Sequence, residues 1–201
     1  MKLIWKGHSC FILESEGSRL VFDPYEPGSV PGCKDIDETA DLVLCSHGHH
    51  DHCYSDGVKI RPDAKPEVFK VTRTDIAHDE AGGTLRGMNK ISVVETGGKK
   101  IVHFGDTGCQ LSDEQVKLVR DADLVMIPVG GFYTIDAAEA AGIIKKVTPK
   151  AVIPMHFSGD GFGYDAVGGV ERFTDLYDKK DVTYLDTDTI DIDKDIKTFI
   201  T

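Results

Sequence analysis

Apolar positions open the chain in short bursts. Lys2–Trp5, Cys10–Leu13 and Arg19–Phe22 are apolar or β-branched runs, punctuated by Gly7 and by Glu16-Gly17-Ser18. This pattern predicts three strands. Asp23-Pro24 closes the third, because proline has no amide hydrogen with which to continue a ladder. The Gly- and Pro-rich stretch from Pro24 to Asp37 reads as a loop. Leu42–Cys45 is a run of the kind a buried strand carries. It opens directly into Ser46-His47-Gly48-His49-His50-Asp51-His52.

Further along, Glu67–Val71, Lys90–Val94 and Lys99–Phe104 read as strands, with Gly97-Gly98 as a hairpin turn between the last two. Ser112 is placed to cap a helix that carries Gln115, Val116 and Val119. The pattern then alternates: strand at Leu124–Ile127, helix at Ala137–Val147, strand at Ala151–Ile153. Asp165–Asp178 reads as a further helix, and Val182–Leu185 and Ile190–Ile192 as closing strands. A strand-rich opening followed by alternation predicts an α/β architecture of mixed sheets with helices packed outside. The length of 201 residues suits a single domain over 1–201, and no linker or short repeat divides it. The Asp-rich stretch from Asp181 to Asp195 lacks the glycine and terminal glutamate of a calcium loop, and is read as a solvated strand edge.

Composition narrows the partners. The formal net charge of −11 makes long nucleic acids and anionic membranes poor partners. No apolar run approaches a membrane span, and Met1–Lys6 does not read as a signal peptide, so a cytoplasmic location is expected. The five cysteines are odd in number and share no CxxC spacing. That predicts reduced thiols, with Cys53 and Cys109 as local packing residues.

The candidate chemistry lies in His47-x-His49-x-Asp51-His52, where four potential metal ligands follow a buried strand. In an extended segment side chains two apart share a face, so His47 and His49 can grip one ion. Asp51 and His52 then serve a second nearby. Imidazole with carboxylate suits zinc, manganese or iron rather than calcium. His50 is expected to point away.

This motif resembles the signature of the metallo-β-lactamase superfamily, which implies an αββα sandwich of two mixed β-sheets flanked by helices. The resemblance runs over nearly the whole chain. Gly7-His8-Ser9-Cys10-Phe11 with Asp23-Pro24, Arg86-Gly87-Met88-Asn89, Pro128-Val129-Gly130-Gly131 and Ile153-Pro154-Met155-His156 are similar to a compact subgroup. That subgroup contains metal-dependent hydrolases and relatives of bacterial ascorbate-6-phosphate lactonase. The resemblance implies that His47, His49 and His78 hold a first ion, and that Asp51, His52 and His156 hold a second. Asp106 would bridge them. Two divalent ions are therefore expected, zinc first, with manganese or iron as alternatives.

Residues less fixed by pattern are His8, Asp23, His103 and Arg86. Metal-bound imidazoles usually pass their other N–H to an acceptor, and Asp23 is a candidate. His8 and His103 either line the cleft or donate to substrate, and His103 is equally readable as a core residue. Arg86, with Tyr133, is a candidate for an anionic substrate group, or else a structural ion pair. The expected activity is hydrolysis of an ester, lactone or phosphodiester in a small, anionic molecule, with Asp51 or Asp106 orienting water activated by two metals. Two alternatives use the same fold. One is a di-iron redox enzyme, though the flavin-partnered members carry glutamate where His49 stands; the other is a metal-binding protein without catalysis.

Overall fold

A computed structural model describes residues 1–194. The chain begins with β1 (Lys2–Gly7), β2 (Cys10–Ser15) and β3 (Ser18–Phe22). Glu16 and Gly17, both at positive φ, form the tight turn between the last two. Short strands β4 (Glu38–Ala40), β5 (Leu42–Leu44) and β6 (Val58–Ile60) follow. Then come β7 (Lys70–Ala77), β8 (Met88–Thr96) and β9 (Lys99–His103), with Gly97-Gly98 at the predicted turn. The remainder is α1 (Asp113–Val119), β10 (Leu124–Pro128), α2 (Ala137–Val147), β11 (Val152–Met155), α3 (Glu171–Thr174) and β12 (Thr189–Asp191).

Two five-stranded sheets form, in the orders β12-β1-β2-β3-β5 and β11-β10-β9-β8-β7. Both are mixed: β3 pairs parallel with β5, and β9, β10 and β11 pair parallel, while the other ladders are antiparallel. Leu3, Phe11, Leu13 and Phe22 from the first sheet share one buried core with Ile91, Val93, Ile101 and Met126 from the second. All five positions of β10 are buried, as expected of a strand covered on both faces. α2 packs on it through Ala140, Ile143, Ile144 and Val147, the 3.6-residue stripe of an amphipathic helix. Reciprocal capping boxes start both longer helices, at Ser112 with Gln115 and at Asp136 with Glu139. The outer face of the first sheet is covered differently. A smaller cluster of Ile12, Val21, Tyr25, Val30, Ile36 and Val58 seats the loop after β3 and the β4–β6 pair there.

Four expectations need correction. The strand placed at Glu67–Val71 begins at Lys70 and runs to Ala77, while Pro66–Val68 forms a single 3-10 turn. β7 lies at a sheet edge, where its exposed charges are tolerated, and that hid its length. The helix expected over Asp165–Asp178 shrinks to one turn, Glu171–Thr174. Gly168 is the reason: its amide donates to Gly130 and its carbonyl accepts from Ser158, so its backbone groups serve the neighbouring loops. Val182–Leu185 is no strand; a Lys179–Asp181 turn precedes it, and β12 closes the sheet at Thr189–Asp191. The acidic tail does place β12 at an edge, but Asp195 lies outside the described residues.

The cysteine expectation is the fourth. Cys45 and Cys53 are joined as a disulfide, their Cα atoms 5.2 Å apart, so the thiols are not all reduced and Cys53 is no mere packing residue. The loop after β5 doubles back, with the amides of His52 and Cys53 both donating to the His49 carbonyl. This return brings the two sulfurs together. Cys10, Cys33 and Cys109 are free thiols. No helix among the described residues is long and apolar enough to cross a membrane.

Candidate metal centre

Strand direction determines where the chemistry gathers. β1, β3 and β5 point one way within the first sheet, and β7, β9, β10 and β11 run alike within the second. Each of the first four site segments follows the C-terminal end of such a strand: His8 after β1, Asp23 after β3, His47–His52 after β5, His78 after β7. Asp106 and His156 follow β9 and β11 in the same way. The residues converge because carboxyl ends of like-directed strands share one rim, the usual place for a site in α/β architectures.

Asp106 is the centre of the cluster. Its Oδ2 lies 3.2 Å from His52 Nε2, 3.4 Å from His78 Nε2 and 3.2 Å from His156 Nε2. Gly105 makes this possible, since at φ +53° it has no Cβ to strike Asn89 Oδ1 and Ser46. Asn89 fixes the turn, accepting from the Asp106 amide at 2.9 Å and donating to the Phe104 carbonyl at 2.8 Å. On one side His47, His49 and His78 offer ring nitrogens within 4.8 Å of one another; on the other, ring nitrogens of His8, His52 and His156 and a carboxylate oxygen of Asp51 lie equally close.

The donor set suits cations. Five buried polar atoms here lack a hydrogen-bond partner: His8 Nε2, His52 Nε2, His78 Nδ1, Asp106 Oδ1 and His156 Nδ1. Buried polar atoms are nearly always paired, so the unpaired His8 Nε2 and His52 Nε2, which both face the Asp51 carboxylate, fit imidazole ligands facing a metal ion; His78 and His156 turn their Nε2 atoms to Asp106 instead. Asp23 supplies the outer support. It accepts from His52 Nδ1 at 2.8 Å, from the Ser46 hydroxyl at 2.6 Å and from the Ser46 amide at 2.6 Å. The Ser46 hydroxyl in turn lies 2.9 Å from His47 Nδ1.

Electrostatics follow burial and neighbours. Burial, then the charge of His52, pushes His47 down to about 3. Burial, then the charge of His156, takes His8 to about 4. Burial works against ionised Asp106, yet the His156 and His52 charges outweigh it and hold its carboxyl well below the usual range. Burial likewise opposes charge on Asp51, but the neighbouring His8 and His52 imidazoles hold its carboxyl down. For His52 burial is outweighed by the Asp106 carboxylate, which raises it well above an ordinary imidazole.

Beside this cluster opens a cleft of about 450 Å³, reached by Asp51, Asp106 and His156 on its floor and by Arg86, Tyr133 and Tyr164 on its wall. Among the described residues, Arg86 is the one guanidinium in this lining. Its guanidinium donates to the Phe132 carbonyl at 3.2 Å and sits 5.6 Å from the Tyr133 ring centre. Asp79 shapes the loop that carries it, its buried carboxylate accepting from the amides of Ala81, Gly83, Leu85 and Arg86. His50 stands exposed at the rim.

His103 is placed away from the cleft. Its Nε2 lies 2.9 Å from the Ser9 carbonyl, its Nδ1 accepts from the Gly105 amide at 3.1 Å, and its ring stacks on Phe22. With both nitrogens engaged it has nothing to offer a substrate, and of its two expected roles the core one remains. Sequence reading missed Tyr164, whose hydroxyl lies 2.8 Å from the Ser29 carbonyl and 3.3 Å from Asp51 Oδ2. No local signal marks it, because its partners are far away along the chain.

Known proteins agree with this geometry. Residues 2–156 match the β-lactamase superfamily domain. A UPF0173 metal-dependent hydrolase of Thermoplasma acidophilum is 30% identical over 189 residues, which covers 79% of this chain and 84% of that protein. The crystal structure of a Thermotoga maritima protein, assigned to the Zn-dependent hydrolases of the metallo-β-lactamase superfamily, superposes with a TM-score of 0.73. It is 30% identical and the match covers 99% of this chain and 97% of that one. Igni18, a metallo hydrolase of Ignicoccus hospitalis, shares the fold at a TM-score of 0.58 and 21% identity, over 82% of this chain and 86% of its own. The chain therefore belongs to the metallo-β-lactamase superfamily, among its metal-dependent hydrolases.

Proposed function

We propose that this protein is a dinuclear hydrolase of a small anionic ester, lactone or phosphodiester. His47, His49 and His78 hold one ion, Asp51, His52 and His156 the other, and Asp106 bridges them. The observation that carries the reading is the approach of three imidazoles, from three separate loops, to the single Oδ2 of Asp106 within 3.4 Å. A shared carboxylate of this kind screens the repulsion of two neighbouring cations. Zinc suits the ligands best, with manganese and iron as alternatives.

When bound, the ions would supply a water of lowered pKa and polarise the oxygen of the carbonyl or phosphoryl group under attack. The protein does the rest. Asp51, held near the Tyr164 hydroxyl, orients the attacking water. Arg86 pairs with the anionic group of the substrate from the cleft wall. Asp23 holds His52 directly, and His47 through Ser46, so that their other ring nitrogens face inward. A cleft of about 450 Å³ suits a small molecule rather than a polymer.

Mass spectrometry of the purified protein beside Asp106→Ala tests this, together with a panel of phosphodiesters, lactones and esters. Two ions per chain and turnover of a panel member are expected in the parent, both lost in the variant. Undiminished activity in the variant would exclude a bridging Asp106. Two irons and no hydrolysis would favour redox chemistry instead.

A further inference from the structure

We propose that His8 is a ligand of the second ion, which gives that position His8, Asp51, His52 and His156 besides the shared Asp106. The inference rests on the dinuclear reading above and adds to it a residue from the start of the chain.

Geometry carries the argument. His8 is only 2% exposed, and its Nε2 is among the buried atoms without a hydrogen-bond partner. That nitrogen lies 3.7 Å from Asp51 Oδ2, too far for a hydrogen bond and close enough for both to face a common cation. A donor atom from each of the four residues lies within 4.8 Å of the others. The His8 and His156 rings are 4.2 Å apart between centroids, and the His8 and His52 rings 5.1 Å. Imidazoles gathered this closely, with nitrogens unpaired, have no mutual attraction to account for it.

The backbone is shaped to deliver this side chain. The β1–β2 register breaks between Trp5 and Gly7, and a bulge of this kind re-aims the residues beside it. Gly7 follows at φ +107° and His8 itself at φ +53°, a conformation that side-chain-bearing residues rarely adopt. His156 shows the same φ of +53°, and its amide donates to the His8 carbonyl at 3.5 Å. The Trp5 indole donates to that carbonyl at 3.1 Å. Two histidines in left-handed conformations, tied backbone to backbone across the gap between the sheets, both turn inward. Local strain held in place by surrounding bonds is a mark of functional positions.

The test compares wild-type protein with His8→Asn, since asparagine tolerates the left-handed conformation that alanine resists. Binding of the second ion is followed by calorimetric titration with zinc, and its coordination by the visible spectrum of the cobalt form. The variant should keep one tight ion and bind the second more than about 100-fold more weakly, beyond the roughly 10- to 100-fold that loss of a partner outside the ligand set usually causes. Its cobalt spectrum should change in the band of the second site alone. As a measurement that does not depend on the variant folding, cadmium-113 protein should show His8 ring protons coupled to the second cadmium. A variant that binds two ions as tightly as wild type, or cadmium coupling to His52 and His156 without His8, would overturn the proposal and leave the dinuclear reading intact. Wild-type protein that takes up only one ion would remove that reading, and this proposal with it.

Discussion

Asp23 holds two imidazoles that face the centre, and so a single carboxylate governs much of the ligand geometry. It accepts from His52 directly and from Ser46, which lies beside His47 Nδ1. Asp23→Asn would place an NH₂ group against at least one of these donors. Metal affinity should fall by roughly 10- to 100-fold, read by chelator competition, with the thermal midpoint of the metal-loaded protein falling in step. Unchanged affinity would mean that His52 is oriented by its surroundings alone. The residues at this scale were unequally legible. His47, His49, Asp51 and His52 crowd into one short segment, and chemistry alone singles them out. Asp23 could be named as an acceptor because it ends a strand. The fate of His103 could not be read, since residue type does not reveal that both ring nitrogens are engaged by backbone groups of Ser9 and Gly105. Tyr164 was silent for the opposite reason: its meeting with Asp51 is purely tertiary.

Among the elements, the loop after β5 is the most constrained. It carries four potential ligands and is closed on itself by Cys45 and Cys53. Tying so short a loop removes conformational freedom from the unfolded chain, worth roughly 2–3 kcal/mol in the loop-closure description. Cys45→Ser should therefore unfold at lower denaturant concentration than the parent under oxidising conditions, and a dithiol reductant should bring the parent down to the variant. Coincident curves without reductant would show that the bond adds nothing. A spacing of eight residues matches no familiar motif, and the pairing arises only because the loop returns through the His49 carbonyl. α2 was legible residue for residue, its stripe and its cap both being local signals. α3 was not, because the backbone of Gly168 is claimed by Gly130 and Ser158 in place of a helical turn.

For the whole molecule, acidity bears on stability as well as on partners. Asp41, Asp79 and Asp123 are buried or partly buried carboxylates whose pKa values lie below the ordinary range. In each case burial opposes ionisation. Amide hydrogen bonds outweigh it for Asp41 and Asp79, and Lys150 with the Lys100 amide does so for Asp123. A carboxyl with a depressed folded pKa contributes stability that is fully present above its unfolded value and is lost as pH falls through the folded one. These carboxylates should thus lower the thermal midpoint as pH falls below about 4, adding to a decline that begins near pH 6.5, where His8 and His47 take up protons in the unfolded chain but stay neutral when buried. Asp41→Asn should start lower and decline less; an equal decline would place the acid sensitivity elsewhere. The mixed character of the sheets was legible from the change of pattern along the chain, but the shared direction of the ligand-bearing strands was not, because strand order is a property of pairing. That direction leaves the two sheets with unlike ends. The tight turns at Glu16-Gly17 and Gly97-Gly98 lie at the rim remote from the cleft, exposed and close together, where Thr96 bonds to Ser15. An affinity handle or an immobilising tether inserted at either turn would anchor the protein by its inert end and leave the mouth of the cleft open to free solution.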